Sequence, residues 1–518
     1  MSGGRLRLWG GWLLLLAAWE VLGRLDLVAG GALPAPSEIA WRFWQDRADY
    51  PAHVTATVRA AVLGFLAGSG VAVAAAIAFV RWPVSERVAR GVNVALFALP
   101  PIAVAPVLVI AFQGMTPRIV LAALSVYFPV MTATMVGLTQ IDARLPDVIR
   151  AWGGGEAALL RLVRLRSSLP ALLAGLRVAA PAALLGAILA EFGGGGRWGL
   201  GVYLLGSLGR ADPARLWGIG LTATAIAGLA YALFAVLGER VGDATRSVTL
   251  SAVPLTEPHA RAKWRALLVG TAAVALPFLI WWLLLLALGT SPIVARTPWG
   301  VTEYLFLAPN ATEARGRLFA ALTQTLPITL VGMAAGLAFA FSLAVLGHIL
   351  PAVSRALLPM ALVTQTMPLV ALTPLLVLLL GRGIPVIVVI TISVTFFPAY
   401  VTLAQGLSLV PRAAFDLVRA YGAGWWRELT LVAVPSALPY LFTSAKLAVP
   451  RALLGVMIAE WLATGTGLGN LLNQSRGYLD YGMVWTVALV SVLVSVLFYQ
   501  LVALLEGRVL RHYASPGR

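Results

Sequence analysis

The chain has 518 residues, 60% of them hydrophobic and 11% charged, with a mean hydropathy of +0.89 and a formal net charge of +17. About a quarter of an ordinary soluble domain is charged, so this composition excludes a soluble enzyme and makes lipid the solvent for much of the chain. The basic residues stand singly in short loops, not in a stripe with interleaved aromatics, which points away from nucleic acid and toward cytoplasmic loops of a membrane protein.

There is no cysteine, which removes disulfides, thiolate metal sites and cysteine nucleophiles together. His53, His259, His348 and His512 are too scattered for metal-ligand spacing. The two lysines, Lys263 and Lys446, do not close a Gly-x-x-x-x-Gly-Lys-Ser/Thr phrase, so the chain has no nucleotide-binding P-loop of its own.

In chain order, the apolar start near 8–25 follows Arg5 and Arg7 without a clean cleavage site, and reads as a retained first helix. Runs of about 20 apolar residues, enough to cross a bilayer, then fall near 55–80, 92–112, 118–138, 171–191 and 215–237. A polar stretch with two prolines, 239–265, separates these from a second series near 266–289, 321–347, 357–380, 384–407, 440–459 and 483–505. The expected fold is therefore an all-α integral membrane protein of two six-span repeats, 1–238 and 266–518, joined by a linker. Six is even, so both repeats start on the same side, and their pseudo-twofold axis is expected along the membrane normal. With the N-terminus inside, 22 of the 38 Lys and Arg residues fall in inside segments. That bias places both termini and the linker in the cytoplasm.

Each repeat carries one polar phrase in a loop expected to be cytoplasmic: RAWGGG from Arg150 and RAYGAG from Arg419, 269 positions apart. Asp147 and Asp416 precede them, and Pro170 and Pro439 close them. Apolar residues at helical spacing, a glycine break and a second helical stretch predict a helix–turn–helix knob over 143–170 and again over 412–439. Glycine permits a sharp turn and close approach of a partner backbone. Duplication of the phrase favours a docking role over a plain solvated loop.

Further pairs support the repeat. Pro100 and Pro106 match Pro368 and Pro374, YFP at Pro129 matches FFP at Pro398, and AEF at Glu191 matches AEW at Glu460, each followed by GLG. Prolines within apolar helices leave carbonyls unbonded, which lipid tolerates only where neighbours or water satisfy them. Pro100, Pro106, Pro368 and Pro374 are thus candidates for a translocation path. Arg59 and Arg451, cations without a counterpart in the other repeat, are candidate contacts for an anionic solute. Arg177 and Lys446 are paired and are expected to snorkel to the interface, supporting the knob. Glu191 and Glu460 are candidates for contact with an external protein or for capping a helix.

The pattern of an acid, a glycine six residues on and two spaced prolines resembles the coupling signature of the membrane subunits of bacterial ABC importers. Asp416, Gly422, Pro435 and Pro439 match it fully; Asp147, Gly153 and Pro170 match it with Arg166 in place of the first proline. LPAPSEI at 33–39 and PLVALTPLLVLLLGRG at 368–383 resemble the nitrate, sulfonate, taurine and thiamine-precursor branch of those permeases. The resemblance implies a type I importer permease with its two membrane subunits fused. It would be without catalysis or a cofactor of its own, served by two cytoplasmic ATPase subunits that bind the ATP and by an extracytoplasmic solute-binding protein. It also assigns Asp147, Arg150, Gly153, Gly155, Pro170, Asp416, Arg419, Gly422, Gly424, Pro435 and Pro439 to ATPase coupling. An ion- or proton-coupled carrier of six plus six helices is the alternative, and the spans contain few acids to serve it.

Overall fold

The computed structural model describes residues 13–14, 16–26, 31, 33–142, 144–194, 196–208, 210, 212–241, 263–350, 373, 376–377, 379–408 and 410–513. Among them there is helix but no strand. In the first repeat the main helices are α1 (Pro36–Gln45), α2 (Tyr50–Arg81), α3 (Pro83–Ala98), α4 (Pro101–Ala111), α5 (Thr116–Thr139), α6 (Arg144–Ala151), α7 (Glu156–Leu159), α8 (Leu165–Phe192), α9 (Leu200–Leu208) and α10 (Pro213–Val241). In the second they are α11 (Lys263–Leu288), α12 (Pro298–Phe306), α13 (Ala311–Ile349), α14 (Ile384–Ser408), α15 (Arg412–Ala420), α16 (Trp425–Glu428), α17 (Val434–Ala459), α18 (Gly467–Gly477) and α19 (Tyr481–Tyr513).

Nine helices among the described residues are long and apolar enough to cross a membrane, and one further pair qualifies if counted as a single bent span. These ten coincide with ten of the twelve predicted runs. The run at 357–380 lies almost wholly outside the described residues, as do Pro368 and Pro374; of the run at 8–25, residues 16–24 are helical.

The run at 92–112 is interrupted, as its prolines suggest. α3 and α4 meet at 102° around Leu99 and Pro100. Both residues precede a proline, whose ring disfavours helical geometry in the residue before it, and both are extended, with ψ of 116° and 115°. Pro106 does not break its helix: it is buried inside α4. Of the two candidate prolines in this run, Pro100 sits at the break and Pro106 does not.

A correction concerns the fifth span of each repeat. α7 runs through a π-helical turn (Leu160–Arg164) into α8, and α16 runs through another (Leu429–Ala433) into α17. The knob's second helix and the membrane span are therefore one rod, Glu156–Phe192 in the first repeat, about 55 Å long at 1.5 Å per residue.

The repeats share one apolar core. α3 and α11 cross closely between the repeats: a side chain at Gly91 would collide with the backbone carbonyl of Ala273. Small residues let membrane helices approach this closely, and dispersion over the contact then holds them. Arg476 adds a polar tie across the repeats by donating to the Phe192 carbonyl at 2.9 Å.

Glu191 and Glu460, each 1% exposed, are helix caps inside the bundle rather than contacts for an external protein. Glu191 accepts from the Thr57 hydroxyl at 2.8 Å and from the Gly201 N–H at 2.7 Å, and Thr57 in turn accepts from the Leu200 N–H. Glu460 accepts from Thr325 at 2.7 Å and Gly469 N–H at 2.9 Å, with Leu468 N–H on Thr325. The first carboxylate also has Arg118 at 3.5 Å. The unbonded N–H groups at the start of α9 and α18 are thereby satisfied by the same device twice.

Candidate functional site

Two regions stand out, a pair of surface knobs and a cavity between the repeats. In each knob a short amphipathic helix ends in a glycine with left-handed backbone, Gly153 at φ 73° and Gly422 at φ 75°. The Gly154 N–H returns to the Ile149 carbonyl at 2.8 Å, and the Ala423 N–H to Val418 at 3.0 Å, five residues back in both cases. This is the glycine-terminated helix end that the conformation requires. Gly155 and Gly424 have ordinary extended geometry and begin the second helix.

The arginine of each repeated phrase clasps the two knob helices. Arg150 lies 3.7 Å from Asp147 on its own helix and 3.4 Å from Glu156 on the next. Arg419 lies 3.9 Å from Asp416 and holds Glu428 through two hydrogen bonds of 2.7 and 2.8 Å. Glu156 and Glu428 were not legible as clasp partners because they occupy different positions of their helices, so the repeat does not align them. Pro435 starts α17, and Pro170 and Pro439 lie inside α8 and α17. The π turn forms in both knobs, although only the second has a proline beside it.

Neither α6 nor α15 buries a residue. Trp152 and Tyr421, equivalent in the two phrases, are 88% and 83% exposed, with Val148 and Leu417 exposed beside them. Trp425 and Trp426 add two exposed indoles to the second knob.

The cavity, about 300 Å³, is walled by α5 and α8 of the first repeat and α14 and α17 of the second, with α3 and α19 closing its sides. Pseudo-equivalent residues face each other across it: Pro129 and Pro398, Pro181 and Pro450, Phe128 and Phe397. The YFP and FFP match was the sequence signal for the first and third of these pairs. Pro100 and Pro106 do not line the cavity, whereas Pro101 does. Arg451 lines it; Arg59 is exposed on α2 and does not line it. Lys446 also faces the cavity but donates to Glu506 of α19 at 2.6 Å. Arg177 stacks over Tyr231 of α10 at 4.2 Å. These paired cations therefore tie the fifth helix of each repeat to its last.

Two repeats of membrane helices around an apolar cavity define a transport permease. The chain belongs to the family described as the binding-protein-dependent transport system inner membrane component, which matches residues 64–246 and again 336–511. A probable ABC transporter permease protein of Haemophilus influenzae is 29% identical over 38% of this chain and 82% of its own length. The riboflavin transport system permease protein of Chloroflexus aurantiacus is 31% identical over 31% of this chain and 60% of its own. The formylaminopyrimidine transport permease protein of Halalkalibacterium halodurans is 31% identical over 36% of this chain and 76% of its own. Each match takes up about one repeat, so this chain is a fusion of two such permease halves.

Proposed function

We propose that the chain is the membrane-spanning part of an ATP-driven importer of a small solute. Two cytoplasmic ATPase subunits dock on the knobs at 143–170 and 412–439, and an extracytoplasmic solute-binding protein delivers solute on the opposite face. The chain itself performs no catalysis, and ATP is bound by the partners. Both termini and the linker are cytoplasmic in the inner membrane. The observation that carries this reading is the duplicated knob, two helix–turn–helix units that leave Val148 and Trp152 in one and Leu417 and Tyr421 in the other exposed at equivalent positions. A knob of this kind is a face made for another protein.

The continuous rods supply a mechanism. Drawing the knobs together when ATP closes its subunits would move α8 and α17, the helices that wall the cavity. The two packings then differ in which side the cavity opens to, and nucleotide biases them through differential docking.

The test is co-expression with the P-loop ATPase of a neighbouring gene, followed by purification and reconstitution. ATP-dependent uptake with the binding protein, and no uptake driven by a proton or sodium gradient alone, is the expected result. Uptake on an ion gradient without the ATPase would establish the ion-coupled carrier instead.

A further inference from the structure

The fifth spans of the two repeats end differently on the side away from the knobs. α8 stops at Phe192, so its last carbonyls carry the partial negative charge of a helix C-terminus. In the second repeat the same stretch carries on through a π-helical turn, Glu460–Thr464, past Trp461, the counterpart of Phe192 in the AEF and AEW match. Arg476 joins this pair. It lies in the last turn of α18, donates to the Phe192 carbonyl at 2.9 Å and stacks over the Trp461 ring at 5.3 Å. One guanidinium is thus held by a helix terminus of the first repeat and an aromatic face of the second. The acceptor is fixed from behind, because a side chain at Gly193, the next residue, would collide with the Ala105 backbone of α4.

The bridge is made from one side only. At the offset that aligns the two GLG phrases, the counterpart of Arg476 is Leu208, whose side chain has nothing to donate. A fused chain permits such a difference, and a pair of identical subunits does not. The bridge also stands at the end of the cavity. Leu189 is the last residue of α8 to line it and Ile458 the last of α17, and Phe192 and Trp461 follow within one turn, away from the knobs. Ties inside a repeat are stronger: Arg215 grips Asp46 with two bonds of 2.6 Å, and Lys446 meets Glu506 at 2.6 Å. Arg476 has a carbonyl and a ring and, among the described residues, forms no ion pair. A contact of that strength biases a packing and can still break in every cycle.

We propose that Arg476 is a one-sided latch on the outer mouth of the cavity. It holds the packing described here, with the outer ends of the two fifth spans joined, and lets go when the repeats part to admit solute. Its role is positioning, and it acts through Phe192 and Trp461 without touching the solute. Lysine would keep the charge but lacks the planar group that serves a carbonyl and a ring together. The proposal rests on reading the chain as a permease with its knobs in the cytoplasm, and the experiment separates failure of the latch from failure of that reading.

The full chain, which has no native cysteine, is given a single one in the cavity wall by Ser393→Cys. Its reaction with a small membrane-impermeant thiol reagent is then followed from outside intact cells. Arg476→Leu, which copies the first repeat, is expected to speed the reaction at least fivefold, and Arg476→Lys by less. Arg197→Gln, which removes an exposed cation from the loop after Phe192, is expected to change it less than twofold. An unchanged rate in a folded Arg476→Leu chain, or an equal gain from Arg197→Gln, would overturn the latch. Should Arg476→Leu fail to fold, Arg476→Lys decides, and a rate no faster than with Arg476 intact overturns the proposal. A separate Ala252→Cys chain serves as the topology control. If that cysteine is protected from outside and Arg476→Leu has no effect, the latch fails and the permease reading stands. If it is labelled from outside, the orientation is wrong and the latch falls with it.

Discussion

Gly422 and Gly424 lie two residues apart in one repeated phrase and do different jobs. Gly422 sits at φ 75°, where an L side chain is strained by about 1–2 kcal/mol, while Gly424 is extended and has open space around it. Gly422→Val is therefore expected to deform the turn and reduce ATPase co-purification severalfold, and Gly424→Val to leave the fold intact. Unchanged co-purification and transport in Gly422→Val would end the docking assignment. The buried caps make a second residue-scale test. Glu460 accepts on both oxygens, whereas glutamine would turn an amide N–H toward either Thr325 or the Gly469 N–H. Glu460→Gln is expected to cost about 1–3 kcal/mol, seen as a lower melting temperature in detergent. A melting temperature equal to wild type would show that the cap is dispensable.

At the scale of elements, the two knobs share a backbone and differ in surface. The first shows Arg161 and Arg166 exposed and the second shows Trp425 and Trp426. Exposed charges are screened beyond about 10 Å at 0.1 M salt, and apolar contacts are not. ATPase binding through the first knob alone, with the second disabled by Gly422→Val, is expected to fall as salt rises; binding through the second alone, with Gly153→Val, is expected to hold. Equal salt dependence would mean that the surface difference has no consequence. Because the π turn forms with or without its proline, Arg166 is a matter of charge and not of backbone shape.

On the opposite side, Arg215 of α10 holds Asp46 with two bonds of 2.6 Å, fastening α10 to the segment before α2. Burial pushes the Asp46 carboxyl up, but the Arg215 hydrogen bonds and charge outweigh it and hold the carboxyl below its usual value of 3.8. A depressed carboxyl stabilises the fold above its unfolded value and loses that contribution as pH falls through the folded one. Melting temperature is thus expected to drop between pH 5 and the acid limit in wild type. Asp46→Asn should start lower at pH 7 and change less. An identical acid profile in both would rule the tie out as a source of the dependence.

For the molecule as a whole, topology is open to direct test, because the chain has no native cysteine to remove. Single cysteines at Ala252 and Ser515 are expected to resist a membrane-impermeant thiol reagent in intact cells and to react after the membrane is opened. Labelling of either from outside would invert the orientation.

The sequence by itself determined the class, the repeat and ten span positions, because apolar run length is set by bilayer thickness and loop chemistry by the need to end helices. It also determined the left-handed glycine turn, a local property of the phrase around Gly153 and Gly422. The 102° break at Leu99-Pro100 was written in consecutive prolines, although its size was not. Only the tertiary structure decided which charges face what. Arg59 and Arg451 both interrupt apolar runs, and side-chain direction around a helix in lipid has no hydrophobic pattern to reveal it when every face is apolar. Glu191 became a cap and Lys446 a tie for the same reason: their partners, Thr57 and Glu506, are 134 and 60 residues away in the chain. The cavity likewise is lined from both repeats, so the place of Arg451 in its wall is a property of the fold and not of any segment.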